Sequence, residues 1–146
     1  MVNTFSRILV AYDGSKLGEK ALKVAIDFLK QSPDVELDIA TVYEFPKGLE
    51  SFGLYNEGLL KEFRYSTEQM MEKVNNRLKE ENLPNKFRTY ILEGNSAKVL
   101  IDFANERDTD LIIMGSRGLS GLQEVFLGSV SHYVVQHANC PVLIVK

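Results

Sequence analysis

Cysteine occurs once in this 146-residue chain, at Cys140. One thiol excludes an internal disulfide and fits a reducing cytoplasm. No apolar stretch approaches the ~20 residues that a membrane-crossing helix needs. The opening residues, MVNTFSRILVAYDG, carry an apolar run only from Ile8 to Ala11 before a charged turn, so they read as a first strand and not as a signal peptide. A basic excess is missing too. Seventeen Lys and Arg stand against 20 Asp and Glu, for a net charge of −3, and they form no block. Nucleic-acid binding, which draws most of its affinity from basic surface, is therefore disfavoured.

Several catalytic signatures are also lacking. There is no Gly-Lys-Ser/Thr for a Walker A loop and no G-x-G-x-x-G after the first strand for a dinucleotide Rossmann domain. No G-x-S-x-G occurs, which argues against an α/β-hydrolase. His132 and His137 stand five apart without Cys or carboxylate partners at ligand spacing, so no metal site is expected from them. His137 reads as a packed residue extending the apolar face of the last helix, Cys140 as a small buried side chain, and Met70-Met71 as core filler. No nucleophile–base pair emerges, so no catalytic residue is assigned and efficient catalysis is not expected.

What is present is a regular alternation. Hydrophobic residues at 45% and charged ones at 25% describe a globular chain, and its length suits one domain, residues 1–146. Arg7 to Ala11 reads as a buried strand. Asp13-Gly14-Ser15 then turns the chain, with Ser15 capping a helix that carries Leu17, Ala21, Val24 and Phe28; Glu19 falls one position late for a capping box. Val35 to Tyr43 is a second strand, and Glu44 to Glu57 reads as a long surface loop, functional or mobile. The next helix places Leu59, Phe63, Met70, Met71, Val74 and Leu78 on one face and ends near Leu83-Pro84. Phe87 to Leu92 is strand three, Gly94-Asn95-Ser96 caps a short helix, Asp110 to Met114 is strand four, a helix opens near Ser129, and Pro141 to Val145 is strand five. The unbroken runs ILVA, LIIM and VLIV suit strands covered on both faces. The expectation is a doubly wound α/β fold with a five-stranded parallel sheet, ordered 3-2-1-4-5.

In such a sheet ligands bind beyond the carboxyl ends of the strands where the order reverses, here between strands one and four. The loop after strand four is the most informative stretch, MGSRGLSGLQEVFLGSVS from Met114 to Ser131, with Gly115, Gly118, Gly128 and Ser129 in a G-x2-G-x9-G-S spacing. Glycine allows close backbone approach and φ > 0, and the following helix start offers unpaired N–H groups and a positive dipole end to a phosphate. Asp13 has two readings of similar weight: an acceptor for an adenine amino group or ribose hydroxyls, or turn and cap chemistry; its place at the reversal favours the first. Arg117 is equally a phosphate partner or a solvated arginine. Ser129 and Ser131 serve as N-cap residues, as phosphate ligands, or as both.

These residues resemble the universal stress proteins from strand one to the C-terminus, most closely in ILVAYDGSKLGEKAL and in DLIIMGSRGLSGLQEVFLGSVSHYVV with the closing CPVLIV. The glycine spacing is similar to that of the family's ATP-binding branch. The resemblance implies an adenine nucleotide alpha hydrolase-like domain in the cytoplasm that binds ATP or a relative (ADP, AMP or cyclic AMP) in stress responses. It implies that Asp13 and Val42 flank adenine and ribose, with Ala11 and Tyr12 beside them. It also implies that Met114, Gly115, Arg117 and Gly118 line ribose and phosphates, and that Gly128, Ser129, Val130 and Ser131 hold the phosphates, with Mg²⁺ or Mn²⁺ accompanying them. A homodimer through an antiparallel pairing of Val142 to Val145 is implied as well, and an unblocked apolar edge strand is a pairing template in its own right. Two positions depart from the family: Tyr12 is bulkier than usual and either stacks on the base or narrows the pocket, and Gln123-Glu124 replaces a region that is often basic.

The leading expectation is a nucleotide-binding regulator with at most slow hydrolysis, no dedicated metal cage, and no nucleic-acid or membrane partner. The alternative is a nucleotide-independent dimeric interaction protein, which the intact motif argues against. A pyrophosphatase-type enzyme, a third reading, would resemble an SGGxDS loop after strand one, where this chain has Asp13-Gly14-Ser15-Lys16.

Overall fold

A computed structural model describes residues 5–44, 57–118 and 127–146. Its elements alternate as expected: β1 (Arg7–Ala11), α1 (Lys16–Gln31), β2 (Glu36–Tyr43), α2 (Glu57–Glu80), β3 (Phe87–Glu93), α3 (Ser96–Glu106), β4 (Leu111–Gly115), α4 (Ser129–His137) and β5 (Val142–Val145). The sheet is parallel throughout, in the order β3-β2-β1-β4-β5. β1 pairs with β2 from Arg7 against Glu36 to Ala11 against Ala40, and with β4 at Ile8–Leu111, Leu9–Ile112 and Val10–Ile113.

Alternation along each strand divides the core into two layers, because successive side chains point to opposite faces. Ile8 and Val10 face a cluster with Leu22, Ile26 and Leu29 of α1 and Met71, Val74 and Leu78 of α2. Leu9 faces the other way, joining Ile112 and Met114 under Leu100 and Ala104 of α3 and Val134 of α4. Burying both faces is what the unbroken apolar runs require.

The ends of the elements differ from the sequence reading by a residue or two, for identifiable reasons. Asp110 is not in β4, because its carboxylate accepts the amides of Ser6 at 2.7 Å and Arg7 at 3.0 Å and so ties the entry of β1. Pro141, lacking an N–H, stands before β5 and contributes only its carbonyl to Ile112. α2 stops at Glu80, short of Leu83-Pro84, because Asn82 takes φ of +52°.

Three side chains are less buried than expected. Phe63 is 49% exposed, since a 24-residue helix of ~36 Å outruns strands of about half that length and only its later turns reach the sheet. His137 is exposed and stacks on Tyr133, ring centroids 4.1 Å apart. Cys140 is half-buried, and burial pushes its thiol pKa up. Of the Glu44–Glu57 loop, Glu57 opens α2 and residues 45–56 lie outside the described residues.

At the far end of the sheet from the β-strand carboxyl termini, Asp38 of β2 is 3% exposed and takes Nε and Nη2 of Arg107, the residue that ends α3, at 3.2 and 3.3 Å. The guanidinium also lies over the Tyr90 ring, 5.5 Å from its centroid. Replacing Arg107 with Ala leaves a buried carboxylate unpaired. Because Arg107 itself is partly solvated, the expected loss is about 2 kcal/mol by urea unfolding, below the usual range for a fully buried pair. Adding Asp38→Asn should recover part of it.

Candidate functional site

Beyond β1 the chain leaves toward β2, and beyond β4 it leaves toward β5, so the two loops separate and open a cleft of about 450 Å³. All twelve residues singled out from the sequence line this one cleft. Ala11, Tyr12 and Asp13 come from the end of β1, and Val42 from β2. Met114, Gly115, Arg117 and Gly118 follow β4, and Gly128, Ser129, Val130 and Ser131 open α4. Five further lining residues escaped the sequence reading: Ser15, Gly18, Ala40, Ser96 and Leu100. Ala40 was legible in principle, as the strand neighbour two before Val42; Ser96 and Leu100 enter only because α3 packs beside α4.

The turn after β1 is held by side-chain hydrogen bonds. Asp13 Oδ1 accepts the Ser15 amide at 2.9 Å, and Ser15 Oγ accepts the Gly18 amide at 3.0 Å as the N-cap of α1. The turn reading of Asp13 is thus realised at one carboxylate oxygen. The other faces Gly118: a β-carbon there would lie 2.8 Å from Asp13 Oδ2, and one on Gly18 would lie 2.9 Å from Oδ1. Two glycines, one on each flank, make the room this carboxylate occupies.

The glycines of the motif act differently from expectation. Among the described glycines only Gly14 and Gly94 have positive φ, so Gly115, Gly118 and Gly128 are not there for left-handed backbone. Gly115 lets β4 approach α1, since a β-carbon would lie 2.7 Å from Leu17 Cβ and 3.1 Å from its carbonyl carbon. Gly128 is the N-cap of α4 and has no side chain to cap it, which corrects the expectation that Ser129 or Ser131 fills that position. Ser131 is buried, and its hydroxyl donates to the carbonyls of Ser116 at 2.9 Å and Gly128 at 3.1 Å; the Gly128 amide donates to Ser116 as well. This lacing ties the start of α4 to the residue that follows β4. It leaves the first amides of α4, at Ser129, Val130 and Ser131, without a partner inside the helix and at its positive end.

Tyr12 corrects another expectation. The residue is 6% exposed, its side chain packs in the α1/α2 cluster and its hydroxyl donates to Glu19, so the ring turns into the core and is not placed to stack on a ligand, while the residue still lines the cleft. Glu19, one position late for a capping box, also takes Arg77 of α2. Burial, reinforced by the Glu19 bond, raises the Tyr12 pKa well above its ordinary value. At Glu19 burial alone would raise the pKa, but the bonds from Tyr12 and Arg77 outweigh it and hold the carboxyl below its ordinary 4.5.

The cleft is chemically two-ended. Ala11, Ala40, Val42, Leu100 and Met114 form an apolar wall, while Asp13, Arg117 and the start of α4 form a polar one. Ser96, at the mouth, donates to Glu44 at 3.3 Å. Among the described residues no three His, Cys, Asp or Glu side chains are grouped to hold a metal, and no helix is long and apolar enough to cross a membrane. Gln123 and Glu124 lie outside the described residues.

Fold and cleft together define a class of protein: a doubly wound parallel α/β fold of the adenine nucleotide alpha hydrolase-like type, with an open cleft at the strand reversal. The chain belongs to the universal stress protein family, whose sequence model matches residues 4–146. It is 35% identical to universal stress protein YxiE of Bacillus subtilis (strain 168), with 97% of this chain and 99% of the relative covered. Among solved structures it is similar to the hypothetical protein MJ0577, with a TM-score of 0.85, 28% identity and 99% and 97% of the two chains covered. It is also similar to a universal stress protein in complex with cAMP, with a TM-score of 0.68, 25% identity and 99% and 98% covered.

The two loop glycines should fail in distinguishable ways. Gly115→Ala presses on the α1 backbone and should cost about 2 kcal/mol of stability by urea denaturation. Gly118→Ala sits in an exposed loop and should stay within about 0.5 kcal/mol of the parent while displacing the Asp13 carboxylate. Equal losses would show that Gly118 is packed as tightly as Gly115.

Proposed function

We propose that this protein binds ATP or a related adenine nucleotide (ADP, AMP or cyclic AMP) in the β1/β4 cleft. It does so as a single domain spanning residues 1–146, in the cytoplasm, and acts as a regulator in a stress response. The observation that carries this reading is the uncapped start of α4, whose first amides have no partner among the described residues and line the cleft beside Asp13 and Arg117. A volume of about 450 Å³ suits a nucleotide-sized ligand. The similar universal stress protein in complex with cAMP supports the same ligand class.

In this reading the apolar wall from Ala40 to Leu100 receives the base, and Asp13 Oδ2 accepts from the base or ribose. The α4 amides, Ser129 and Arg117 meet the phosphates, and Ser131 braces the loop from behind. Mg²⁺ or Mn²⁺ would enter with the phosphates, neutralising their charge. Asp13 is the sole carboxylate among the described lining residues, and its Oδ1 is engaged by Ser15, so hydrolysis is at most slow.

The first test is to denature freshly purified protein and identify released nucleotide by mass spectrometry, with calorimetry against ATP, AMP and cyclic AMP. Binding is expected, and Asp13→Ala should weaken it about tenfold, the scale of one hydrogen bond to a charged acceptor. Absence of binding by every nucleotide would favour the nucleotide-independent interaction protein.

We propose in addition that two copies pair through β5. It is an edge strand, and Leu143 on it is 37% exposed. Sedimentation should give a dimer for the parent protein and a monomer for Leu143→Lys, which places a charge on the edge without touching the core. A monomeric parent would end this reading.

A further inference from the structure

The turn that carries Asp13 is closed from behind by a methionine. Gly14, at φ +81°, is the residue between Asp13 and Ser15, and a β-carbon on it would lie 2.9 Å from Met70 Sδ. The sulfur therefore packs on the backbone of the turn, in a seat that exists only because residue 14 has no side chain. α2 reaches the same turn a second time, two turns further on, through Arg77 on Glu19 and Glu19 on the Tyr12 hydroxyl. The position of α2 and the shape of the Asp13 turn are thus joined at residues 12 and 14.

Of the four methionines, Met71 and Met114 are 3% and 5% exposed, whereas Met70 is partly open to solvent; Met1 lies outside the described residues. Thioether oxidation follows access, so Met70 is the described methionine an oxidant reaches first. We infer that Met70 is an oxidation site whose conversion to the sulfoxide loosens the Asp13 turn and lowers the affinity of the cleft for its nucleotide. The inference rests on the nucleotide-binding reading for its second half only.

The co-reactant is a peroxide. A lone pair on Met70 sulfur takes one peroxide oxygen: the S–O bond forms, the O–O bond breaks, and the second oxygen leaves as water. Sulfur is oxidised by two electrons and the peroxide is reduced by two. The product is larger and carries a strong acceptor where the thioether carried none. The seat against Gly14 is filled by the sulfur alone, so an added oxygen must push the sulfur off residue 14 or swing out to water and take the sulfur with it. Either way the packing on residue 14 is lost, and with it the support behind the Asp13–Ser15 and Ser15–Gly18 hydrogen bonds.

The test uses the full chain treated with hydrogen peroxide until peptide mass spectrometry finds Met70 singly oxidised. Amide hydrogen exchange at Ser15 and Gly18, whose N–H groups those two bonds engage, reads the turn with no nucleotide present. Exchange there should rise about tenfold and calorimetric nucleotide affinity should fall by a similar factor, the scale of local opening. Met70→Leu conserves the volume and cannot be oxidised, so peroxide should change neither reading. Met70→Gln should raise exchange without any oxidant. Unchanged exchange at Ser15 and Gly18 in the Met70 sulfoxide would overturn the inference. So would an equal loss of affinity in oxidised Met70→Leu, because it would assign the effect to another oxidised side chain such as Met114 in the cleft wall or Cys140. If the untreated protein binds no nucleotide, it is the proposed function that fails, and the exchange readings still decide whether Met70 controls the turn.

Discussion

Pairing of β1 with β4, in register from Ile8–Leu111 to Val10–Ile113, opens the molecule at one place only among its described strand neighbours. Elsewhere successive strands are joined by a helix that crosses the seam between them. β1 and β4 are adjacent without being consecutive, so α1 follows β1 on one face of the sheet and α4 follows β4 on the other, and the two connections part at the carboxyl ends of the strands. The cleft, its apolar wall and the approach of α4 to the Asp13 turn all depend on this pairing.

Close approach at that gap is achieved by removing side chains. Gly115 admits Leu17, Gly118 and Gly18 admit the Asp13 carboxylate, and Gly14 admits the Met70 sulfur. The four glycines thus make room for three neighbours, and only Gly14 has a positive φ. Serines supply the complementary part. Ser15 caps α1, and Ser131 with Ser116 ties the loop onto β4, so the amides at the start of α4 are the donors left over. In the proposed reading, a helix start tied to β4 in this way would hold its donors in place before an anion arrives, which would reduce the entropy lost on binding.

The family's spacing of glycines was legible in the sequence because it is a one-dimensional pattern, and the alternation of strands and helices was legible because burial on two faces imposes unbroken apolar runs. The reasons behind individual residues were less so. Tyr12 read as a residue beside the ligand and does line the cleft, but its ring packs in the core, because whether a side chain after a strand turns to the cleft or to α1 depends on which helix is there to receive it. Glu19 was legible only as a residue one position late for a capping box, because its partners, Tyr12 and Arg77, lie seven and 58 positions away. Phe63 matched a helical stripe, but a stripe is buried only as far as the sheet extends beneath it.

Composition and pattern alone therefore determined the class of fold, the strand order and the place of the cleft, since each follows from local periodicity or from a rule of chain connectivity, while the family was legible only as a resemblance of motifs. Only the tertiary structure decided which atoms do the holding. That Gly115 serves packing, that Ser131 is a brace, that Asp13 divides its two oxygens between turn and cleft, and that a methionine stands behind the turn are all consequences of contacts between distant segments. Such contacts depend on how helices settle on the sheet to within an ångström, and no spacing along the chain encodes that distance.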